Sequence, residues 1–240
     1  MDAHEGLAGV IPVVCQPEPK PPAYDFHHDV YERGEDTIRQ LAGLPPLRVW
    51  PGETITPRVS RIEDVTGAML GGYPRWTRAL PALHEAYSGL CAYLARRIEL
   101  VETPTADHYI ARRHAKPLML AFTWSNLRLS HHYINGVKSD LADVLDPFEV
   151  KEEWFALNLA SGETVPGPKA PSDRLADIQR TITLLHLDRD PVMKTRRRAI
   201  DRYRRPPVGQ RPIPLWSLEE DEPFIAHELR RQGQLNPGDA

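Results

Sequence analysis

The sequence predicts an α+β protein, in which a small strand–strand–helix core is surrounded by helices and preceded by an extended Pro-rich N-terminal arm. Three features support this prediction. A short extended run ends in Asp107-His108, a second extended run opens at Asn126, and a helical run carrying Asn135 follows it. Amphipathic helical patterns lie on both sides of this region. Proline is frequent at the start of the chain, where it favours extended backbone.

The length and composition are those of a water-soluble globular chain. The 240 residues are enough for a sizeable core, and the hydrophobic and charged contents are 41% and 26%. No run of about 18 apolar residues occurs, so no transmembrane span is predicted. The first six residues lack the basic start and apolar centre of a signal peptide. Two cysteines, Cys15 and Cys91, do not make a disulfide framework. We therefore expect a cytoplasmic protein and no membrane partner.

Charge is unevenly distributed along the chain although the net charge is only −3. Residues 174–205 contain ten Lys or Arg and four Asp or Glu, whereas residues 206–240 contain three and six. A basic block followed by an acidic tail is consistent with a phosphate-facing surface and a partner-facing tail. It is equally consistent with an ordinary solvated helix face.

The hydrophobic periodicity predicts the order of the elements around the core. The predicted helices cover residues 35–42, 80–97, 172–185, 190–203 and 222–231, and a strand is predicted over 153–159. Three regions are expected. Residues 1–75 form the Pro-rich arm and a helical N-terminal extension, residues 76–205 a domain with the strand–strand–helix core and basic helices, and residues 206–240 an acidic C-terminal tail or helix.

The strand–strand–helix region carries side chains suited to phosphodiester hydrolysis. A single Mg²⁺ or Mn²⁺ prefers oxygen ligands, and Asp107 and Asn135 supply a carboxylate and an amide oxygen. His108 titrates near neutrality and is suited to deprotonating a water. Neighbouring side chains on a strand point to opposite faces, so a turn or bulge is needed to bring Asp107 and His108 into one pocket. Asn126 is predicted either to bind backbone across the loop or to orient the His108 ring.

These residues resemble the motifs of the HNH, or ββα-metal, endonucleases. The likeness is closest to a small bacterial group, and the matching segments are Cys91-Ala-Tyr, Asp107-His108, Trp124-Ser-Asn126, Asn135-Gly-Val-Lys138 and Leu145-Asp-Pro. The resemblance covers about residues 85–205. It implies that His108 is the general base, that Asp107 and Asn135 bind one divalent ion, and that Asn126 orients the loop between the strands. It also implies an anti-phage defence role beside an ABC-type ATPase, as in Septu-like and some retron systems.

The chain departs from the family at the structural zinc site. Two Cys-x-x-Cys pairs are replaced by Cys91 with Leu94 and by His131 with Ile134. Because two of the four positions are apolar, a tetrahedral zinc is not expected, and packing of Leu94 against Ile134 is expected in its place. A replacement ion held by Cys91 with a nearby histidine stays open as an alternative; the candidate histidines are His114, His131 and His132.

Basic side chains near the site are predicted to contact the phosphates of a nucleic acid.

 

The predicted contacts are Arg112, Arg113, Lys116, Lys138, Arg196, Arg197 and Arg198. Contacts of this kind give salt-sensitive binding that tolerates many sequences. DNA is the expected substrate. No sequence preference is predicted, because no base-reading element is recognised.

Three hypotheses follow from the sequence. The first is a metal-dependent HNH-type endonuclease that hydrolyses DNA and serves as the effector nuclease of an anti-phage defence complex. The second is a catalytically decayed HNH-fold subunit that binds partners within a multiprotein complex. The third is an unrelated helical regulator with a chance motif match, for which Asp107, His108 and Asn135 should not converge on one pocket.

Overall fold

The computed structural model describes residues 15–239, which contain both helices and strands and form two small antiparallel sheets. The strands are β1 (Pro104–His108), β2 (Leu127–His131), β3 (Phe155–Leu157) and β4 (Thr164–Pro166). The helices are α1 (Arg33–Leu41), α2 (Leu80–Ala86), α3 (His132–Lys138), α4 (Leu175–Leu184), α5 (Val192–Arg204), α6 (Leu215–Asp221) and α7 (Pro223–Arg231). The α+β class predicted from the sequence is confirmed at this level.

The first sheet pairs β1 with β2, and α3 follows β2 without a connecting loop. In the antiparallel register, Asp107 lies opposite Arg128 and His108 lies opposite Leu127. The imidazole of His131 accepts the backbone N–H of Tyr133 and caps the start of α3. A side-chain acceptor at this position satisfies a helix N–H that would otherwise lack a partner.

The N-terminal half packs around one hydrophobic cluster that extends to the first sheet. Phe26, Leu41, Trp76 and Leu129 are among its buried members. Helix α1 approaches the loop before β2 very closely at Gly34. A Cβ atom at this position would lie 2.2 Å from the Phe122 ring. Only glycine permits this approach.

The helix predicted over residues 80–97 is wrong beyond its first two turns. Helix α2 ends at Ala86, and the backbone has positive φ at Ser88, Gly89 and Ala95. Leu90 and Arg97 then pair as an antiparallel bridge, so residues 90–97 form a tight hairpin. Left-handed residues cannot continue an α-helix, and Gly89 is the sequence signal for the interruption.

The C-terminal half packs around a second hydrophobic cluster, which begins with Ile134 on α3. Phe155 on β3, Ile182 on α4, Tyr203 on α5 and Ile225 on α7 belong to it. The strand and helices predicted for residues 153–159, 172–185, 190–203 and 222–231 correspond to β3, α4, α5 and α7. Helix α6 was not predicted from the sequence.

The start of the described chain lies against the first cluster. The carbonyl of Gln16 accepts a hydrogen bond from the Trp124 indole N–H at 2.8 Å. Most of the predicted Pro-rich arm, residues 1–14, lies outside the described residues. Within residues 15–239, no helix is both long and apolar enough to cross a membrane.

Candidate active site

Three of the predicted catalytic and metal-binding residues line one cleft of about 230 Å³. Asp107 and His108 at the end of β1 line it together with Asn135 from α3. The two strand residues have different surroundings, as expected from the alternation of side chains along a strand. His108 contacts Trp76, with ring centroids 4.7 Å apart, whereas Asp107 is bound by Lys138 of α3.

His108 is held in a defined orientation and tautomer. Its Nε2 lies 2.9 Å from the carbonyl oxygen of Ala121, which only accepts hydrogen bonds, so Nε2 carries a proton. Burial lowers the pKa of His108 to about 4, and the nearby charges of Arg112 and Lys138 act in the same direction. The imidazole is therefore neutral at pH 7, and its Nδ1 retains a lone pair that can accept a proton.

Asp107 is enclosed by a network of hydrogen bonds. The Tyr93 hydroxyl donates to Oδ2 at 2.6 Å, and the Lys138 ammonium lies 3.3 Å from Oδ1 and 3.2 Å from Oδ2. Lys138 also donates to the backbone carbonyls of His108 and Tyr109 at 2.6 and 3.1 Å. Burial raises the pKa of the Asp107 carboxyl, while Lys138 and Tyr93 oppose this shift.

Asn126 binds backbone across the loop between β1 and β2. Its Oδ1 accepts the N–H of Ile110 at 2.8 Å, and its Nδ2 donates to the carbonyls of Ile110 and Leu120 at 3.1 and 2.9 Å. Of the two roles considered for Asn126, the geometry matches the one in which it ties the loop together. The His108 ring is oriented by Ala121 instead.

Asp107 and Asn135 offer a carboxylate and an amide oxygen on the same cleft, which is the donor chemistry that Mg²⁺ and Mn²⁺ prefer. A carboxylate has about four lone-pair sites, so Asp107 can bind Tyr93 and Lys138 and still offer a lone pair to a cation. No group of three His, Cys, Asp or Glu side chains suited to a metal occurs between residues 15 and 239. A bound ion would therefore need oxygen atoms from water and substrate.

The four positions considered in the sequence for a structural zinc take part in packing and backbone hydrogen bonds. Ile134 is buried in the second cluster, and Leu94 packs against the same cluster. The Cys91 sulfur accepts the backbone N–H of His131 at 3.4 Å, and the His131 ring caps α3. Leu94 and Ile134 thus share one apolar cluster, which agrees with the packing expected for them.

The basic residues of the loop between β1 and β2 differ in their surroundings. Arg113 forms an ion pair with Asp140 at 2.9 Å, and Lys116 is exposed. Arg112 lines the cleft, and its guanidinium lies 4.7 Å from the centre of the Trp76 ring. These three residues remain predicted contacts for phosphates.

Two of the predicted nucleic-acid contacts need correction. Lys138 is fully buried, and its ammonium is enclosed by Asp107 and two carbonyl groups. Arg196 is also buried, and it donates hydrogen bonds to Thr164 and to the carbonyls of Gly162 and Leu187. Neither side chain can reach a ligand from these positions. The neighbouring residues on α5, Arg197 and Arg198, are exposed as predicted.

Two side chains that shape the site were not predicted from the sequence. Tyr93 binds Asp107, and Trp76 contacts both His108 and Arg112. Tyr93 belongs to the Cys91-Ala-Tyr motif, so its position in that motif was an available signal. Trp76 lies 32 residues before His108 and carries no local signal that connects it with the site.

Two comparisons of the sequence with known proteins find no match. No model of a known protein family matches the chain. No curated protein matches it at a significant level. The functional conclusion therefore depends on the residues of the cleft and on the motif resemblance.

Proposed function

We propose that this protein is a metal-dependent endonuclease of the ββα-metal type that hydrolyses phosphodiester bonds in DNA. The observation that carries the proposal is the convergence of Asp107, His108 and Asn135 on one cleft, at the junction of two antiparallel strands and the following helix. The anti-phage role and the ATPase partner are proposed from the motif resemblance alone.

His108 is the general base of the proposed reaction. The Ala121 carbonyl fixes its proton on Nε2, so Nδ1 takes the proton of the attacking water. The water oxygen forms a bond to phosphorus, the bond to the leaving oxygen breaks, and the leaving alkoxide acquires a proton from solvent. Asn126 supports this chemistry by holding the loop that carries Ala121 and the backbone after His108.

Asp107 and Asn135 would hold the divalent ion. A bound Mg²⁺ or Mn²⁺ supplies Lewis-acid stabilisation of charge on phosphate oxygens. The chain itself positions the carboxylate of Asp107 through Tyr93 and Lys138. These two partners fix the orientation of Asp107 before any ion binds.

The proposal is tested by incubating the purified protein with plasmid DNA, a single-stranded DNA oligonucleotide and an RNA of the same sequence. Each is assayed with Mg²⁺, with Mn²⁺ and with EDTA. We expect cleavage of DNA that EDTA abolishes and that Asp107→Ala strongly reduces. Cleavage that persists in EDTA would contradict a metal-dependent mechanism.

One observation favours the alternative, a decayed subunit that only binds partners. Lys138 already neutralises Asp107, and a cation at this carboxylate would experience repulsion from the ammonium. The alternative predicts that no metal supports cleavage, whereas DNA or partner binding persists. Cleavage supported by Mg²⁺ or Mn²⁺ would exclude it.

A further inference from the structure

Arg112 differs from the other predicted phosphate contacts because its charge is unpaired and partly shielded. Its Nη1 atom is shielded from solvent and has no hydrogen-bond partner among the described residues. Burial lowers the pKa of Arg112, and the neighbouring charge of Arg113 lowers it further. Arg113 itself is paired with Asp140. A shielded cation without an anion is unfavourable, so this arrangement is explained best by an anionic ligand.

The surrounding chain is shaped to hold the Arg112 side chain. The guanidinium lies over the Trp76 ring at 4.7 Å, within the range of a cation–π interaction. Two glycines of the N-terminal extension approach Arg112 closely. A Cβ on Gly67 would lie 1.8 Å from the Arg112 backbone carbonyl oxygen, and a Cβ on Gly71 would lie 2.9 Å from Nη1 of its side chain. Gly71 therefore leaves room for the guanidinium, and Gly67 leaves room for the backbone that carries it.

Arg112 lines the same cleft as His108 and Asn135, and Trp76 contacts both Arg112 and His108. The planar guanidinium of arginine binds two phosphate oxygens at once, which a lysine ammonium cannot do. The cleft thus combines a proton acceptor, oxygen donors for a cation and a separate unpaired donor for an anion.

We propose that Arg112 binds the non-bridging oxygens of the scissile phosphodiester, and that Trp76 is the residue that positions it. This inference rests on the proposed function. As water attacks, negative charge increases on these oxygens, and a fixed guanidinium stabilises it. Arg112 is thereby a catalytic residue that contacts the substrate, whereas Arg113 and Lys116 lie outside this role.

The first test compares cleavage kinetics of Arg112→Ala and Arg112→Lys with those of a matched control, Arg61→Ala. Arg61 is exposed and pairs with the nearby Asp64. We expect Arg112→Ala to lower kcat by roughly 10²–10³-fold, as for loss of one oxyanion donor. Arg112→Lys should be intermediate, and Arg61→Ala unchanged. Wild-type kcat in Arg112→Ala would overturn the proposal.

The second test requires no cleavage. Inorganic phosphate is titrated into the metal-free protein in EDTA, and the Arg112 side-chain N–H signal, assigned by its loss in Arg112→Lys, is followed by NMR. We expect a saturable shift that is preserved in Arg61→Ala. Trp76→Phe should retain the shift and Trp76→Leu should weaken it, because only an aromatic face supports the guanidinium. A signal that phosphate does not move would overturn the proposal.

The two tests separate failure of this inference from failure of the proposed function. A protein that cleaves DNA through His108 but is indifferent to Arg112→Ala retains the function and refutes the role of Arg112. A protein that never cleaves DNA but shows the phosphate shift retains the anion site and refutes the nuclease.

Discussion

The buried ammonium of Lys138 is predicted to hold the end of β1 and the start of its loop in place. Lys138→Met replaces it with an apolar side chain of similar length. The change removes the ion pair with Asp107 and the hydrogen bonds to the carbonyls of His108 and Tyr109. Removing one partner of a buried ion pair costs about 3–5 kcal/mol, because the remaining charge stays buried. For a protein of this size, that cost corresponds to a fall in Tm of roughly 10 °C.

Thermal and urea unfolding of Lys138→Met, Asp107→Asn and the double variant measure this effect. Lys138→Met leaves the Asp107 carboxylate without its partner, and Asp107→Asn removes that carboxylate. The double variant should therefore lose less free energy of unfolding than the sum of the losses in the two single variants. Lys116→Met, at an exposed lysine of the same region, is the matched control. A Tm for Lys138→Met equal to that of wild type would refute the reasoning, because it would indicate that Lys138 is not held in a buried ion pair.

Two further predictions concern the loop and the C-terminal helices. Asn126→Ala loses three hydrogen bonds to backbone and should destabilise the fold by about 3 kcal/mol, at roughly 1 kcal/mol each, in urea unfolding; a loss below about 1 kcal/mol would contradict this role. Burial raises the pKa of Glu222 to about 7, because the buried side chain favours its neutral form. The stability that the neutral form contributes is fully present below the ordinary pKa of glutamate, and it is lost as the pH rises through 7. Glu222→Gln should therefore match wild type near pH 4.5 and exceed it by up to about 3 kcal/mol at pH 8; equal stability of both proteins at pH 8 would contradict the shift.

The strand–strand–helix order could be predicted because its signals are local. The extended run before His108, the second run after Asn126 and the helical segment at Asn135 each lie within a few residues of β1, β2 and α3. Local sequence patterns are sufficient for such features.

The surroundings of the site could not be predicted because they depend on distant packing. Lysine is rarely buried, so the sequence favoured an exposed Lys138, and only the tertiary structure shows its enclosure. Arg196 was predicted to be exposed for the same reason, since it lies within a run of three arginines. The apolar spacing of residues 80–97 favoured one helix, but the turn at Gly89 interrupts it.

The most direct test of the central claim is the rate of plasmid cleavage by His108→Ala relative to wild type in Mn²⁺. The matched control is His186→Asn, since His186 is exposed and has φ of 56°, a conformation that asparagine tolerates. A general base contributes about 10²–10⁴-fold, so we expect a loss of this size in His108→Ala and none in the control. Equal rates for His108→Ala and wild type would contradict the assignment of His108 as the base.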